Sequence, residues 1–270
     1  MILGGKVEMS LVSLPLAGQE RILALLLRRP LGWRFGSTIH FSQTRKHFHI
    51  SSTHNHTPKP PTHHTTNKMS SSAQFIEFLK TRRTIYALEA KSPIPDAKIQ
   101  EIVEQIILHT PSSFNSQSTR VVLLLKEEHE KLWDITKDAL KAVVPEAQFE
   151  ATAQRIAGFR GGYGSILFFE DRSVVSKMQS GFPTYADKFP VWATQSDAMT
   201  QHAIWVALEA EGLGANLQHY APLIDAKVAE QWKIPADWEL NAQLVFGTPT
   251  AKAGEKTFVP LEERFKVYGA

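Results

Sequence analysis

The stretch IQEIVEQIILHTPSSFNSQSTRVVLLL (99–125) places a short polar loop between two apolar segments. The apolar residues of the first segment recur at the spacing of one helix face: Ile99, Ile102, Val103, Ile106 and Ile107. This pattern predicts a helix that ends before Pro111, and the run 121–125 has the length and composition of a buried strand. The loop between them, PSSFNSQ (111–117), offers hydroxyl and amide groups beside one aromatic ring. It either joins two elements through Asx-turn geometry or cradles a ligand.

The chain as a whole has 270 residues, and an apolar fraction of 43% is enough for one domain with a core and an appendage. It contains no cysteine, which excludes disulfides, zinc–thiolate sites, iron–sulfur clusters and cysteine nucleophiles. No run approaches 18 apolar residues, so no membrane span is predicted. We find no catalytic triad and no regular metal-ligand spacing, and we therefore assign neither a catalytic side chain nor a metal site.

The first 68 residues differ in composition from the rest. They hold nine Lys/Arg, two Asp/Glu and seven of the 11 histidines, whereas the remainder holds 21 Lys/Arg and 25 Asp/Glu. The basic charge thus belongs to this leader, and no nucleic-acid binding is predicted for the rest of the chain. Segment 51–68 has almost no apolar residues, which predicts disorder.

Three interpretations of the leader remain open. Segment 21–42 is rich in Arg and Leu and has no acidic residue, which is typical of a mitochondrial presequence. Alternatively, residues 1–68 are a disordered leader without function, or the start is mis-assigned, because Met69 with three following serines resembles a natural start. We therefore divide the chain into a leader, 1–68, and a domain, 69–270. We expect a cytoplasmic or nuclear protein, or a mitochondrial one if the presequence is genuine.

The domain intersperses helices and strands, which predicts an α+β fold with one mixed central sheet flanked by helices. Further helices are predicted after Ser70–Ser72 and over 127–144, 145–157, 192–211 and 225–232, and further strands over 166–169, 215–219 and 240–246. Asp96 is expected to cap the helix that follows Pro95, residues 180–190 to form a loop, and 255–268 to be extended. The glycine cluster at 158–165 is either a dinucleotide site or a turn. A helix before it and a strand after it favour the turn.

The segment KTRRTIYAL (80–88) ends the first helix with basic residues. Arg82 and Arg83 either stabilise the carboxyl end of the helix through its dipole or, with Thr84, bind a phosphate.

Four stretches in order resemble the nitroreductase family of flavoproteins, and more narrowly its fungal and bacterial branch: RRT (82–84), PSSFNSQ (111–117), GLGANLQHY (212–220) and EKTFVPLEERFKVYG (255–269). The resemblance covers about residues 75–270. It implies a nitroreductase-like fold, a homodimer with exchanged C-terminal arms, FMN at the subunit interface, and NADH or NADPH as the hydride donor.

The resemblance also implies cofactor-binding residues. Arg82, Arg83 and Thr84 would hold the phosphate and ribityl end, with Lys256 as a further phosphate cation. Pro111, Ser112 and Ser113 of the partner chain would line the flavin ring, with Asn115 close by, and Gln218 and His219 would place backbone amides at the ring edge. Two positions depart from the family pattern, because Phe258 replaces a second arginine and Tyr86 replaces a basic residue. Phosphate binding would then depend more on Arg82 and Arg83, and Arg264 could substitute for the missing basic residue.

The implied activity is ping-pong reduction of a nitroaromatic or quinone-like acceptor, in a detoxification or oxidative-stress response. Either Lys256 or a helix N-terminus would stabilise the reduced flavin. An aromatic loop either shapes the acceptor pocket or packs in the core or dimer: Phe182, Tyr185, Phe189 and Trp192. The alternative function is a flavin-binding regulatory protein in redox or lipid signalling with little turnover.

Overall fold

The computed structural model describes residues 70–270, so the predicted leader and its histidines lie outside the described residues. The helices are α1 (Ser71–Thr81), α2 (Asp96–His109), α3 (Glu127–Lys141), α4 (Glu146–Arg160), α5 (Arg172–Gly181), α6 (Phe189–Ala210), α7 (Asp225–Trp232) and α8 (Leu261–Arg264). The strands are β1 (Leu88–Glu89), β2 (Thr119–Leu125), β3 (Gly164–Asp171), β4 (Gly214–Gln218) and β5 (Trp238–Pro249). Short 3₁₀ turns cover Ser113–Asn115 and Pro183–Tyr185.

The long strand β5 organises the sheet. It pairs with β3 over most of its length, with β4 from Gly214↔Gly247 to Gln218↔Gln243, and with β1 at its end. β2 extends the sheet beyond β3. All four ladders are antiparallel, and the parallel component is the isolated bridge between Thr84 and Ala215. The sheet is therefore mixed at that bridge alone among residues 70–270, which corrects the broader mixed sheet that we predicted.

Helices cover both faces of the sheet, because alternate strand residues point to opposite sides. On β3, Ile166 and Phe168 join one buried cluster with residues of α2 and α6, while Leu167 and Phe169 join another with residues of α3, α4 and α7. The result is a three-layer α+β arrangement. None of the helices in the described range is long and apolar enough to cross a bilayer.

At two positions the backbone or the packing explains why the residue is glycine. Gly212 adopts φ +87° just after the end of α6, a left-handed conformation that favours glycine at helix ends. A Cβ at Gly164 would lie 2.4 Å from the ring of Phe246, so the close approach of β3 and β5 needs a residue without a side chain. The glycine cluster at 158–165 is the end of α4 and the start of β3, which confirms that the dinucleotide interpretation was the wrong one.

The sequence missed two helices and misjudged one cap. Helix α8, which begins after Pro260, lies within residues 255–268, which we expected to be extended. Helix α5 begins after Asp171, whose carboxylate accepts hydrogen bonds from the backbone of Ser173 and Val174. Asp96 is the first residue of α2 and makes no capping hydrogen bond there. Its carboxylate instead binds Lys126 at 2.6 Å and Tyr163, tying α2 to the turn before α3.

A polar network lies inside the core on the α3 side. His129 Nε2 donates to the carbonyl oxygen of Arg160 at 3.2 Å, and its Nδ1 accepts from Ser165 Oγ at 2.9 Å. Trp133 Nε1 donates to the same Ser165 oxygen at 3.0 Å. The neutral imidazole satisfies both neighbours, and burial lowers the pKa of His129 to about 4.

We predict that this network makes the fold sensitive to acid. The pKa of His129 is lower in the folded chain than its unfolded value of 6.5, so the unfolded state binds the extra proton. Its contribution is fully present above pH 6.5 and falls by roughly 3 kcal/mol as the pH drops to about 4. Urea unfolding of the wild type and of His129→Gln at pH 7 and pH 4.5 measures the difference. An equal loss of stability in both proteins would contradict the prediction.

Candidate active site

The segment after α1 is fixed against β4 by two hydrogen bonds of the Ile85 main chain. Ile85 N–H donates to the carbonyl oxygen of Ala215 at 2.9 Å, and Asn216 Nδ2 donates to the carbonyl oxygen of Ile85 at 2.8 Å. Thr84 forms its parallel bridge at the same place. This pairing brings the RRT stretch and the GLGANLQHY stretch, which are 130 residues apart in sequence, to one side of the sheet.

Arg82 and Arg83 have different partners. The Arg82 guanidinium lies over the ring of Trp205 at 4.5 Å. The Arg83 guanidinium donates to the carbonyl oxygen of Gly254 at 2.5 Å, while its backbone N–H donates to Glu209 at 2.7 Å. The two guanidinium groups therefore have separate contacts in the single chain, and Arg83 holds the start of the C-terminal arm, residues 251–270.

A cleft of about 510 Å³ opens between the end of β4 and helix α4. We call it the Tyr86–Gln218 cleft, and its lining residues are Tyr86, Gln154, Arg155, Gly158, Phe159 and Gln218. One lining residue, Tyr86, departs from the family pattern. Another, Gln218, is predicted to lie at the edge of the flavin ring. Aromatic rings, amides and one cation make a lining that suits a flat polar ligand.

The 111–117 loop lies at a different groove, which shares no lining residue with the cleft. Phe114, Asn115 and Gln117 have φ values of 56°, 52° and 52°, a region that residues other than glycine rarely adopt. Hydrogen bonds hold this conformation, since Gln117 N–H donates to Ser112 Oγ at 2.9 Å and Arg120 donates to the Gln117 carbonyl at 2.6 Å. Such over-determined strain is common at ligand sites.

The aromatic loop packs against this strained loop. The Phe114 ring centroid is 4.7 Å from that of Phe182, 5.6 Å from that of Phe189 and 6.1 Å from those of Tyr185 and Trp192. The cluster is only partly buried, because Phe114 remains 53% exposed. It therefore supports the 111–117 loop and also presents aromatic surface beside it.

A buried acid lies in the middle of α6, close to that loop in the fold. Asp197 Oδ2 accepts hydrogen bonds from Gln201 at 2.7 Å and from Asn241 at 2.9 Å. Burial raises the pKa of Asp197 to about 6. Both partners are side-chain amides, and Asn241 lies on β5. Asp197 therefore helps to join α6 to β5.

Lys256 lies on the C-terminal arm, 5.3 Å from the ring centroid of Phe258, and does not line the cleft. The arm leaves large apolar side chains exposed in the single chain: Phe258, Val259, Leu261, Phe265, Val267 and Tyr268. The structure thus separates the predicted site residues into four groups, which are the RRT segment, the cleft with Gln218, the 111–117 loop and the arm.

A family model described as the nitroreductase family matches residues 79–248. The chain belongs to the nitroreductase family. It is therefore an oxidoreductase, and both the resemblance and the predicted nitroreductase-like α+β fold are confirmed.

Other comparisons agree with this membership of the nitroreductase family. HBN1 of Saccharomyces cerevisiae is 44% identical over 193 residues, which are 71% of this chain and 96% of that protein. Nitroreductase CinD of Lactococcus lactis, solved with nicotinic acid, is 45% identical with a TM-score of 0.67, over 72% of this chain and 99% of CinD. CinD was also solved with chloramphenicol and with 4-nitrophenol. A Desulfovibrio desulfuricans protein solved with FMN shares the fold at 18% identity and a TM-score of 0.52, over 72% of this chain and 95% of that chain.

Four residues of α4 line this nitroreductase cleft without having been predicted as site residues: Gln154, Arg155, Gly158 and Phe159. Their positions on a largely solvent-facing helix give no motif, and their place beside Tyr86 depends on how α4 packs over the end of β4.

Proposed function

We propose that this protein is an FMN-dependent NAD(P)H oxidoreductase that reduces nitroaromatic or quinone-like acceptors by ping-pong hydride transfer. The observation that carries the proposal is the Tyr86–Gln218 cleft, which opens at the end of β4, the strand whose start pairs with Thr84 of the RRT segment. The ligands in the CinD structures are small aromatic molecules, two of which carry a nitro group, and they support this acceptor class.

The RRT segment and the cleft residues fit FMN in chemistry. Arg82, Arg83 and Thr84 offer two guanidinium groups and a hydroxyl for the phosphate end. Phe159 and Tyr86 offer ring surface, while Gln218 and the backbone beside His219 offer hydrogen bonds to a ring edge. When bound, FMN supplies two-electron transfer between NADH or NADPH and the acceptor, so the chain needs no nucleophile of its own.

The same proposal includes a homodimer. Helices α1, α2 and α6 form an apolar groove of about 450 Å³ whose lining includes Phe75, Phe78, Leu79, Ile102, Ile106 and Val206. Phe75 is 59% exposed in the single chain, which is unusual for a large apolar side chain in such a cluster. We infer that a second copy covers this face.

In that dimer, the 111–117 loop of one subunit would complete the cleft of the other. Pro111, Ser112, Ser113 and Asn115 supply apolar contact and hydrogen-bonding groups for a flavin ring, and the loop is already held in a strained conformation. Exchange of the C-terminal arms would cover their apolar residues and bring Lys256 toward the phosphate.

The spectrum of the purified full chain tests the function. We expect a yellow protein whose flavin absorbance bleaches under anaerobic NADH or NADPH and returns when 4-nitrophenol or chloramphenicol is added. A yellow protein that does not respond to either nicotinamide would instead support the regulatory flavin binder. A colourless protein that cannot be reconstituted with FMN would refute both functions.

A double substitution tests the phosphate assignment. Charge-assisted hydrogen bonds contribute about 1.5–3 kcal/mol each, so Arg82→Ala with Arg83→Ala is expected to weaken FMN binding by roughly two to four decades. Equilibrium titration with FMN measures this change. Lys80→Ala is the matched control, since Lys80 pairs with Glu77 on the exposed side of α1. A double variant that binds FMN as tightly as this control would show that the assignment is wrong.

A charge on the apolar groove tests the dimer. Phe75→Glu is expected to shift the protein from dimer to monomer in analytical ultracentrifugation, because a carboxylate would be buried without a partner. The substitution removes no core contact, since Phe75 is largely exposed in the single chain. Glu101→Gln, at an exposed position of α2, is the control and should leave the dimer intact. A Phe75→Glu variant that sediments as a dimer would exclude this face as the interface.

A further inference from the structure

Glu209 on helix α6 accepts hydrogen bonds from two parts of the chain that are far apart in sequence. One carboxylate oxygen accepts from the backbone N–H of Arg83 at 2.7 Å, and the other accepts from Trp205 Nε1 at 2.7 Å. Trp205 precedes Glu209 by one helical turn, so the two side chains lie on the same face of α6. A single half-buried carboxylate therefore connects the RRT segment to the indole ring of Trp205.

The indole ring of Trp205 in turn supports the guanidinium of Arg82. The central carbon of that guanidinium lies 4.5 Å from the centroid of the ring. A guanidinium over a ring is held through its flat face, while its N–H donors point outward in its plane. Among residues 70–270, the arginines that form ion pairs are Arg120, Arg160 and Arg172. Arg82 therefore keeps its donors for an anion.

Glu209 and Arg82 also interact through their charges. Burial raises the pKa of Glu209, and the hydrogen bonds from Arg83 and Trp205 and the positive charge of Arg82 oppose that rise. Two effects of Glu209 on a phosphate bound by Arg82 are thus opposed. The carboxylate holds the RRT segment and the ring in place, whereas its negative charge repels the phosphate.

We propose that Glu209 is a positioning residue for the phosphate of the cofactor. It fixes the ring of Trp205 beneath Arg82 and fixes the main chain at Arg83, and so it holds the Arg82 guanidinium in the direction that a phosphate requires. This inference rests on the proposed function, in which the RRT segment binds the phosphate of FMN. A side chain that is oriented in advance loses less conformational freedom on binding, so the affinity rises without any contact between Glu209 and the ligand.

The test compares the affinities of FMN and riboflavin, because riboflavin has the same ring and ribityl chain but lacks the phosphate. Glu209→Gln has one acceptor oxygen in place of two, so one of the two N–H donors loses its partner. We expect this variant to bind FMN at least about tenfold more weakly than wild type and riboflavin within about threefold of wild type. Loss of the negative charge alone would instead strengthen FMN binding. Equilibrium fluorescence titration of the full chain, freed of flavin by dialysis, measures both affinities.

Three further variants test whether Glu209 acts through Trp205 and Arg82. Trp205→Leu removes the ring and is expected to cause the same selective loss of FMN affinity. Trp205→Phe keeps a ring beneath Arg82 and should lose less FMN affinity than Trp205→Leu. In an Arg82→Ala background, addition of Glu209→Gln should change FMN affinity by no more than about threefold, because the group that Glu209 positions is already absent.

Glu230→Gln is the matched control, since it makes the same change at an exposed position of α7 and should leave both affinities unaltered. An unchanged ratio of FMN to riboflavin affinity in Glu209→Gln would overturn the proposal. Equal losses of both flavins would do so too, as would tighter FMN binding or a full tenfold loss in the Arg82→Ala background. Failure of the wild type to bind FMN would instead refute the proposed function, and it is measured first. Circular dichroism verifies folding, and if Glu209→Gln does not fold, Trp205→Leu decides the comparison.

Discussion

The pairing of residues 84–85 with the start of β4 is the constraint on which the site depends. It fixes the chain after α1 beside a strand from the last third of the sequence, and so places Tyr86 and Gln218 at one cleft. Gly214 suits this pairing, because a Cβ there would lie 3.0 Å from Leu88 and 3.1 Å from Ile85, and these side chains would have to shift slightly. The contact is long-range, so neither segment can form the site before the sheet has assembled.

The groups that the proposed chemistry needs lie on separate parts of the fold. The cleft provides flat walls and a cation, the strained 111–117 loop provides hydroxyl and amide groups, and the arm carries a further lysine. Two of these parts are supported by local packing: α4 packs on the core through Ile156 and Phe159, and the aromatic cluster supports Phe114. Because the loop and the cleft do not share a cavity in one chain, association of two chains is a natural way to combine them.

Sequence patterns predicted the parts of this fold that depend on local periodicity. Helix α7 begins and ends at the predicted residues, and α2 follows its apolar spacing closely. Helix α5 was missed because its sequence is mostly polar and its start depends on the side chain of Asp171. The different partners of Arg82 and Arg83 were also beyond prediction, since Trp205 and Gly254 come from distant parts of the chain. Arg155 has no sequence signal, because its place at the cleft depends on tertiary packing.

The uncovered apolar arm has a consequence for how much of this protein a cell can maintain. Side chains such as Leu261 and Tyr268, which are 68% and 90% exposed in a lone chain, are the kind of surface that chaperones and proteases recognise. If a second copy covers these side chains, their protection requires two chains to meet. The rate at which two chains meet rises with the square of the protein concentration. We therefore expect steady-state abundance to fall more steeply than synthesis when expression is low, so that the level of the protein responds to its gene in a threshold manner.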